Sequence, residues 1–198
     1  MCGRMYLDRE NKDLYDSVAL LDNPELAPEL SWGEVRPSEC VPVIAARGFS
    51  PLIVAARWGY TNDRGQTTLI NARAETAAVR RTFASDLAAR RCLVPVSGYF
   101  EWTAEPDKKK CLFFDQGGDI LFLAGLWRKE WVSGDYRFVI LTTGADGAEA
   151  DVHPRRPLLV SAEEAETWLF DPSGAKALLE ADMPPLAYIR MPAGVCIG

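Results

Sequence analysis

The sequence predicts an α+β fold: a single domain over residues 1–198, mainly an antiparallel sheet or open barrel with helices on its periphery. Three observations carry this. Four apolar runs between positions 92 and 143 are separated by short turn-forming segments, which implies antiparallel neighbours. Helix-like segments with recognisable start and stop signals stand outside that series. The composition, 48% apolar and 25% charged over 198 residues, is that of a chain able to close one sizeable core. It excludes a disordered or collagen-like polypeptide.

In order along the chain, residues 11–21 place Leu14, Val18 and Leu21 at helical spacing. Pro24, Pro28, Pro37 and Pro42 then make an irregular stretch. Residues 41–46 and 52–60 read as strands joined across Arg47-Gly48, and residues 76–89 as a helix capped by Thr76. The strand series follows, at 92–102, 111–115, 120–127 and 136–143. Gln116-Gly117-Gly118-Asp119 and Ser133-Gly134-Asp135 read as its hairpin turns. Ser161-Ala162-Glu163-Glu164 has the form of a capping box opening a helix toward Phe170. Asp171-Pro172-Ser173-Gly174 ends that helix, and a short one runs on to about Glu180. There is no internal repeat or low-complexity tract.

With 22 basic against 28 acidic residues, the net charge of −6 argues against broad, non-specific nucleic-acid binding. The charge is uneven, however. Residues 71–91 carry Arg73, Arg80, Arg81, Arg90 and Arg91 against Glu75 and Asp86, whereas residues 161–182 set six acids against Lys176. Such a split leaves either one basic face or two solvated helices of opposite sign. No run approaches the roughly 20 apolar residues of a membrane helix, and Met1-Cys2-Gly3-Arg4 leads into polar sequence rather than a secretion signal. Cys2, Cys40, Cys92, Cys111 and Cys196 make an odd count without a CxxC pair. That weighs against disulfides or a zinc ribbon and sets the cytoplasm as the expected location, with no membrane partner.

Cys2 is the most unusual placement. Removal of Met1 would leave it with a free α-amine and a thiol, both with reactive fractions near neutrality. An amine and a thiol on adjacent carbons trap an aldehyde in two steps: a Schiff base, then closure of a five-membered thiazolidine. The plain alternative is a small apolar residue at a frayed end. His153, the only histidine, lies in the loop Asp151-Val152-His153-Pro154-Arg155-Arg156-Pro157 and suits either a proton shuttle or a surface position. A lone histidine speaks against a histidine-rich metal site. In Ile70-Asn71-Ala72-Arg73-Ala74-Glu75-Thr76 an extended chain would turn Asn71, Arg73 and Glu75 to one face. There Asn can position a reacting group and Arg can hold a phosphate, and the plain alternative is a polar strand face leading into a helix cap. Tyr99-Phe100-Glu101-Trp102 sets one carboxylate among aromatics, where it is either an exposed strand-end glutamate or a buried one whose raised pKa would fit it for acid–base work. Trp58 suits either base stacking or a core position. Lys108-Lys109-Lys110 reads as a solvated turn. No phosphate loop, HExxH or GxSxG occurs, while Cys2 with His153 could form a cysteine-peptidase pair acting on other proteins.

Together these segments resemble the SOS response-associated peptidase (SRAP) family. The matching pieces are Met1-Cys2-Gly3-Arg4, Trp58-Gly59-Tyr60, the segment from Asn71 to Thr76, Arg91-Cys92-Leu93-Val94-Pro95, Gly98-Tyr99-Phe100-Glu101-Trp102, Ala124-Gly125-Leu126-Trp127, Leu141-Thr142-Thr143, and His153 through Pro157. The resemblance implies a sensor and shield for abasic sites in single-stranded DNA. Cys2 matches the family nucleophile that forms the thiazolidine crosslink, with Asn71 orienting it, Glu101 shuttling protons, and His153 assisting sugar ring opening and β-elimination. Arg4, Arg73, Arg81, Arg155 and Thr142 match DNA contacts, and Pro37 and Trp58 sit where the family supports or wedges apart bases. The resemblance also implies autocatalytic removal of Met1, no metal or organic cofactor, a monomer, and association with the nucleoid when bound to DNA. This chain departs from the family at Glu34-Val35-Arg36-Pro37-Ser38, which sets a carboxylate near the presumed groove. It also departs at Pro154, where an Asp is usual, and in stopping at Gly198, which would leave one sheet edge less covered.

Overall fold

The computed structural model describes residues 2–62, 64–103, 109–131 and 133–192. In chain order its strands begin with β1 (Arg4–Leu7), β2 (Gly33–Val35), β3 (Cys40–Arg47), β4 (Ser50–Trp58), β5 (Tyr60–Thr61), β6 (Thr67–Leu69) and β7 (Asn71–Arg73). After them come β8 (Arg91–Val96), β9 (Gly98–Trp102), β10 (Lys110–Phe114), β11 (Leu121–Lys129), β12 (Tyr136–Gly144), β13 (Arg155–Pro157), β14 (Leu159–Val160) and β15 (Ala187–Arg190). The helices are α1 (Lys12–Ser17), α2 (Ala74–Ala77), α3 (Ala84–Ala89), α4 (Gly147–Ala150), α5 (Ala165–Phe170) and α6 (Pro172–Leu178).

One sheet runs β15-β10-β9-β1-β2, antiparallel throughout. Directly opposed residues in such a sheet share a face. Met5 stands opposite Val35 and Tyr99, Tyr99 opposite Phe113, and Glu101 opposite Cys111, so these make the inner face. Arg4 opposite Phe100, Tyr6 opposite Glu34, and Trp102 opposite Lys110 make the outer one. The second sheet closes on itself. β12 pairs with β4, β4 with β3, β3 with β8, β8 with β11, and β11 again with β12. The open-barrel alternative is therefore realised as a closed circuit. Closure makes β12 parallel to β4 and β7 within an otherwise antiparallel fold.

Every residue of β8 is buried, because it is covered on both faces. Cys92, Val94 and Val96 join Val43, Val54, Phe138, Ile140 and the inner face of the first sheet in one core. Leu93 packs outward with Leu126, Val139 and Leu141 against Trp168 and Leu169 of α5. The Trp168 indole N–H donates to Cys92 O at 2.9 Å, which pins that helix to the barrel.

The two strands flanking Arg47-Gly48 (β3 and β4), the Ser133-Gly134-Asp135 hairpin between β11 and β12, and the Ser161–Glu164 capping box form as the sequence predicts. Three expectations need correction. The run 92–102 is two strands in two sheets. At the break, Ser97 N donates to Tyr6 O at 2.9 Å, and a Cβ on Gly98 would lie 2.5 Å from Phe113 O. Gln116–Asp119 is a link between sheets rather than a hairpin, since β10 and β11 do not pair. Residues 76–89 divide into α2 and α3, and Thr76 lies inside α2. Burial of Phe83 and of Asp86, which accepts from the Tyr60 hydroxyl at 3.0 Å, fixes the second helix independently of the first.

Candidate active site

The approach to β1 lays Cys2 against the inner face of the first sheet, fully buried in the common core. Asn71, the first residue of β7, donates from Nδ2 to Cys2 O at 2.8 Å. Glu101 shares the inner face with Tyr99 two positions before it and is only 4% exposed. His153 follows α4, with its backbone N–H donating to Glu149 O at 2.9 Å and its Nδ1 lying 3.9 Å from Glu101 Oε1. The Arg155 amide donates to His153 Nδ1 at 3.0 Å and orients the ring. The structure thus brings Cys2, Asn71, Glu101 and His153 together from four separate parts of the chain.

Burial pushes the Glu101 carboxyl above the usual carboxylate range, opposed by attraction to His153. Burial, and after it the Glu101 charge, pushes the Cys2 thiol far up. Both effects favour the neutral thiol over the thiolate. A peptidase nucleophile needs the reverse, a thiol pKa lowered by a neighbouring cation.

Glu149 fixes the histidine loop. Its carboxylate accepts from the Tyr99 hydroxyl at 3.0 Å and the Leu186 amide at 3.1 Å, and lies 2.9 Å from Arg156 Nε. No motif in the sequence singles out Glu149. The available signal was an acid four positions before the only histidine, in a loop otherwise read for its arginines.

The expected DNA-contact residues divide. Arg73 and Arg81 are exposed, Arg81 on the turn between α2 and α3, and Pro37 is half-buried on a turn where Ser38 has φ 75°. Arg155 holds Glu75 through two bonds of 2.5 and 3.0 Å and donates to Thr142 O at 2.5 Å. The hydrogen bonding of Arg155 to Glu75 lowers the Glu75 carboxyl below its ordinary value. Glu75 reaches Arg155 from α2, so it does not extend the strand face of Asn71 and Arg73 as expected. Thr142 is fully buried, and its role is to brace Arg155 rather than to touch DNA itself. Trp58 also needs correction. Its ring is fully buried, and its indole donates to Ile70 O at 2.9 Å, so no base can stack on it. Its carbonyl instead accepts from Ser38 N at 2.8 Å and supports the Pro37 turn. Lys110 is not in a solvated turn but in β10, paired with Glu34. Arg4 points to the outer face of the first sheet and pairs with the same carboxylate at 3.3 Å. Met1, Lys108 and Cys196 lie outside the described residues.

A cavity of about 540 Å³ between the barrel and α5 is lined by Ile44, Leu52, Leu93, Phe122 and Leu169, away from the four clustered residues. Among the described residues, no three Cys, His, Asp or Glu side chains gather as a metal site requires, and no helix is long and apolar enough to cross a membrane.

The family model for SOS response associated peptidase (SRAP) matches residues 1–190. The abasic site processing protein YedK of Escherichia coli is 32% identical over 179 residues, covering 85% of this chain and 79% of that protein. The abasic site processing protein YoqW of Bacillus subtilis is 28% identical over 198 residues, covering 91% and 87%. A crystal structure of a Bacteroides thetaiotaomicron protein superposes with a TM-score of 0.79 at 21% identity, covering 97% of this chain and 93% of that one, and it supports the fold alone.

Proposed function

Because the chain belongs to the SOS response-associated peptidase (SRAP) family, we propose that it captures abasic sites in single-stranded DNA as a covalent crosslink through Cys2. One observation carries the reading. The sole residue type with an amine and a thiol on adjacent carbons stands at position 2, pinned by Asn71 beside a carboxyl with a raised pKa. The relatives named as abasic site processing proteins support the same substrate.

The chemistry follows from the electrostatics. Autocatalytic removal of Met1 frees the Cys2 amine. The ring-opened sugar presents an aldehyde at C1′, and His153 assists that opening. The neutral amine adds to C1′, and the carbinolamine loses water to give a protonated Schiff base. Glu101 supplies the proton to the departing hydroxyl, because burial keeps it protonated higher in pH than an ordinary carboxyl. The amine acts first because burial disfavours the thiolate. The iminium charge then lowers the adjacent thiol's pKa. The thiol adds to the iminium carbon, the C=N electron pair moves to the nitrogen, which already carries its proton and becomes a neutral amine, and the thiol proton returns to the Glu101 carboxylate. The balance is aldehyde plus aminothiol giving thiazolidine plus water. Asn71 Oδ1, buried without a hydrogen-bond partner among the described residues, supplies an acceptor beside the reacting groups. β-Elimination at the captured sugar is a secondary activity of the same centre. Arg4, Arg73, Arg81 and Arg155 hold the flanking phosphates. The protein acts as a cytoplasmic monomer, at the nucleoid when bound, without metal or organic cofactor.

The test is incubation with a single-stranded oligonucleotide carrying one abasic site. A denaturation-stable adduct is expected from the wild type and none from Cys2→Ala. Equal adduct from Cys2→Ala overturns the mechanism. The raised thiol pKa counts against the rival reading as a peptidase acting on other proteins, which would require cleavage of an unrelated peptide that His153→Ala abolishes.

A further inference from the structure

The outer face of the first sheet carries a charge arrangement that the capture chemistry does not use. Tyr6 and Phe100 meet edge to face at 6.2 Å, the Arg4 guanidinium lies 6.0 Å from the Trp102 ring centre, and Lys110 Nζ lies 4.2 Å above the Phe100 ring. Phe100 is fully buried beneath Lys110, so the aromatic faces a single strand could stack on are those of the half-buried Tyr6 and Trp102, with Arg4 and Lys110 for its phosphates. Glu34 sits in the middle of this strip, opposite Tyr6 across the β1–β2 pair. Its Oε1 is 3.3 Å from Arg4 Nε, and its Oε2 accepts from Lys110 Nζ. The carboxylate side chain is 12% exposed, against 29% for Arg4 and 17% for Lys110. Both cations are thus within reach of a ligand, while the acid beneath them already occupies them.

We infer that Glu34 is a built-in competitor for backbone phosphate. It holds Arg4 and Lys110 in the unbound protein and has to be displaced by a strand crossing this face. The inference rests on the single-stranded DNA reading above. Its consequence is selectivity. An undamaged strand meets the competition throughout its residence, whereas a strand bearing the aldehyde is retained by a covalent bond at Cys2, two residues before Arg4. One carboxylate on the non-reacting face therefore raises the contrast between damaged and intact DNA without touching the lesion.

The experiment measures binding of an undamaged, fluorescently labelled oligothymidylate to the full-length protein across a salt series, for the wild type, Glu34→Gln and Glu34→Ala. Both variants should bind about five- to tenfold more tightly at low salt, with a log–log salt slope steeper by about 0.7 for each cation released. Unlabelled undamaged strand should then inhibit crosslinking to an abasic oligonucleotide at correspondingly lower concentration. Lys110→Ala should also weaken binding more in the Glu34→Gln background than in the wild type, because only there is the ammonium free for phosphate. Unchanged or weaker binding in both Glu34 variants overturns the inference and makes Glu34 a support for Arg4. Wild-type crosslinking to the abasic oligonucleotide runs in parallel. If it succeeds while the affinity gain is absent, the inference alone fails. If the wild type neither binds nor crosslinks, the functional reading fails and the inference falls with it.

Discussion

The two faces of β9 differ by one residue in sequence and by almost everything in physical setting. Glu101 points into the core, where burial moves its protonation equilibrium and that of Cys2. Phe100 and Trp102 point outward, among Arg4, Lys110 and Glu34, whose ion pairs stand near solvent. Inside, a few groups in fixed geometry decide reaction chemistry, and any loss is felt in full. Outside, charges act through a screened medium, and each substitution shifts affinity by small, salt-dependent steps. In the proposed function, strand alternation is the device that separates capture from binding.

The comparison can be broken from the inside first. Glu149→Ala should cost about 3–5 kcal/mol in urea-induced unfolding, because it strands the buried Arg156 guanidinium. A loss within the range of a surface substitution would mean the histidine loop is held by something else. Next, Glu101→Gln should slow single-turnover crosslinking at saturating oligonucleotide by about a hundredfold or more, the scale of a positioned acid–base group. Asn71→Ala should slow it about tenfold, since one hydrogen bond to Cys2 is lost. Arg73→Ala, on the exposed rim, should leave that saturated rate within about twofold while making the salt slope of binding shallower by about 0.7. A rate loss matching that of Glu101→Gln would erase the division between chemistry and binding.

The smallest effect is in pH. Glu101 has a raised folded-state pKa, so between the ordinary value of about 4.3 and that raised value the folded chain keeps a proton the unfolded chain has lost. Wild-type stability must therefore fall with rising pH across that window, relative to Glu101→Gln. Paired urea titrations at pH 4 and pH 8 measure it. A difference that grows in favour of the wild type as pH rises would place the Glu101 shift in the wrong direction.

The clustered residues stood out because their chemistry is unusual for their positions: a cysteine at residue 2, a single histidine, and a glutamate flanked by aromatics. The strands flanking Arg47-Gly48 were legible because the turn and their apolar pattern agree. What stayed hidden is tertiary. Nothing local marks the passage from barrel to sheet at Ser97-Gly98, since the apolar pattern runs through it, and the contact that demands glycine there comes from Phe113. Glu149 meets Tyr99 and Leu186, distant in sequence by 50 and 37 residues, so no spacing rule reaches it. The resemblance implied DNA contacts at Trp58 and Thr142, whose side chains are fully buried, and only the tertiary fold shows that burial.

The central claim is that Cys2, freed of Met1, closes a thiazolidine on the abasic sugar. Intact mass measurement of the adduct, formed without any reductant, tests it most directly. The account predicts the mass of the chain lacking Met1 plus the oligonucleotide, less one water. An adduct that retains Met1, or one that survives only after reduction with borohydride, would contradict it.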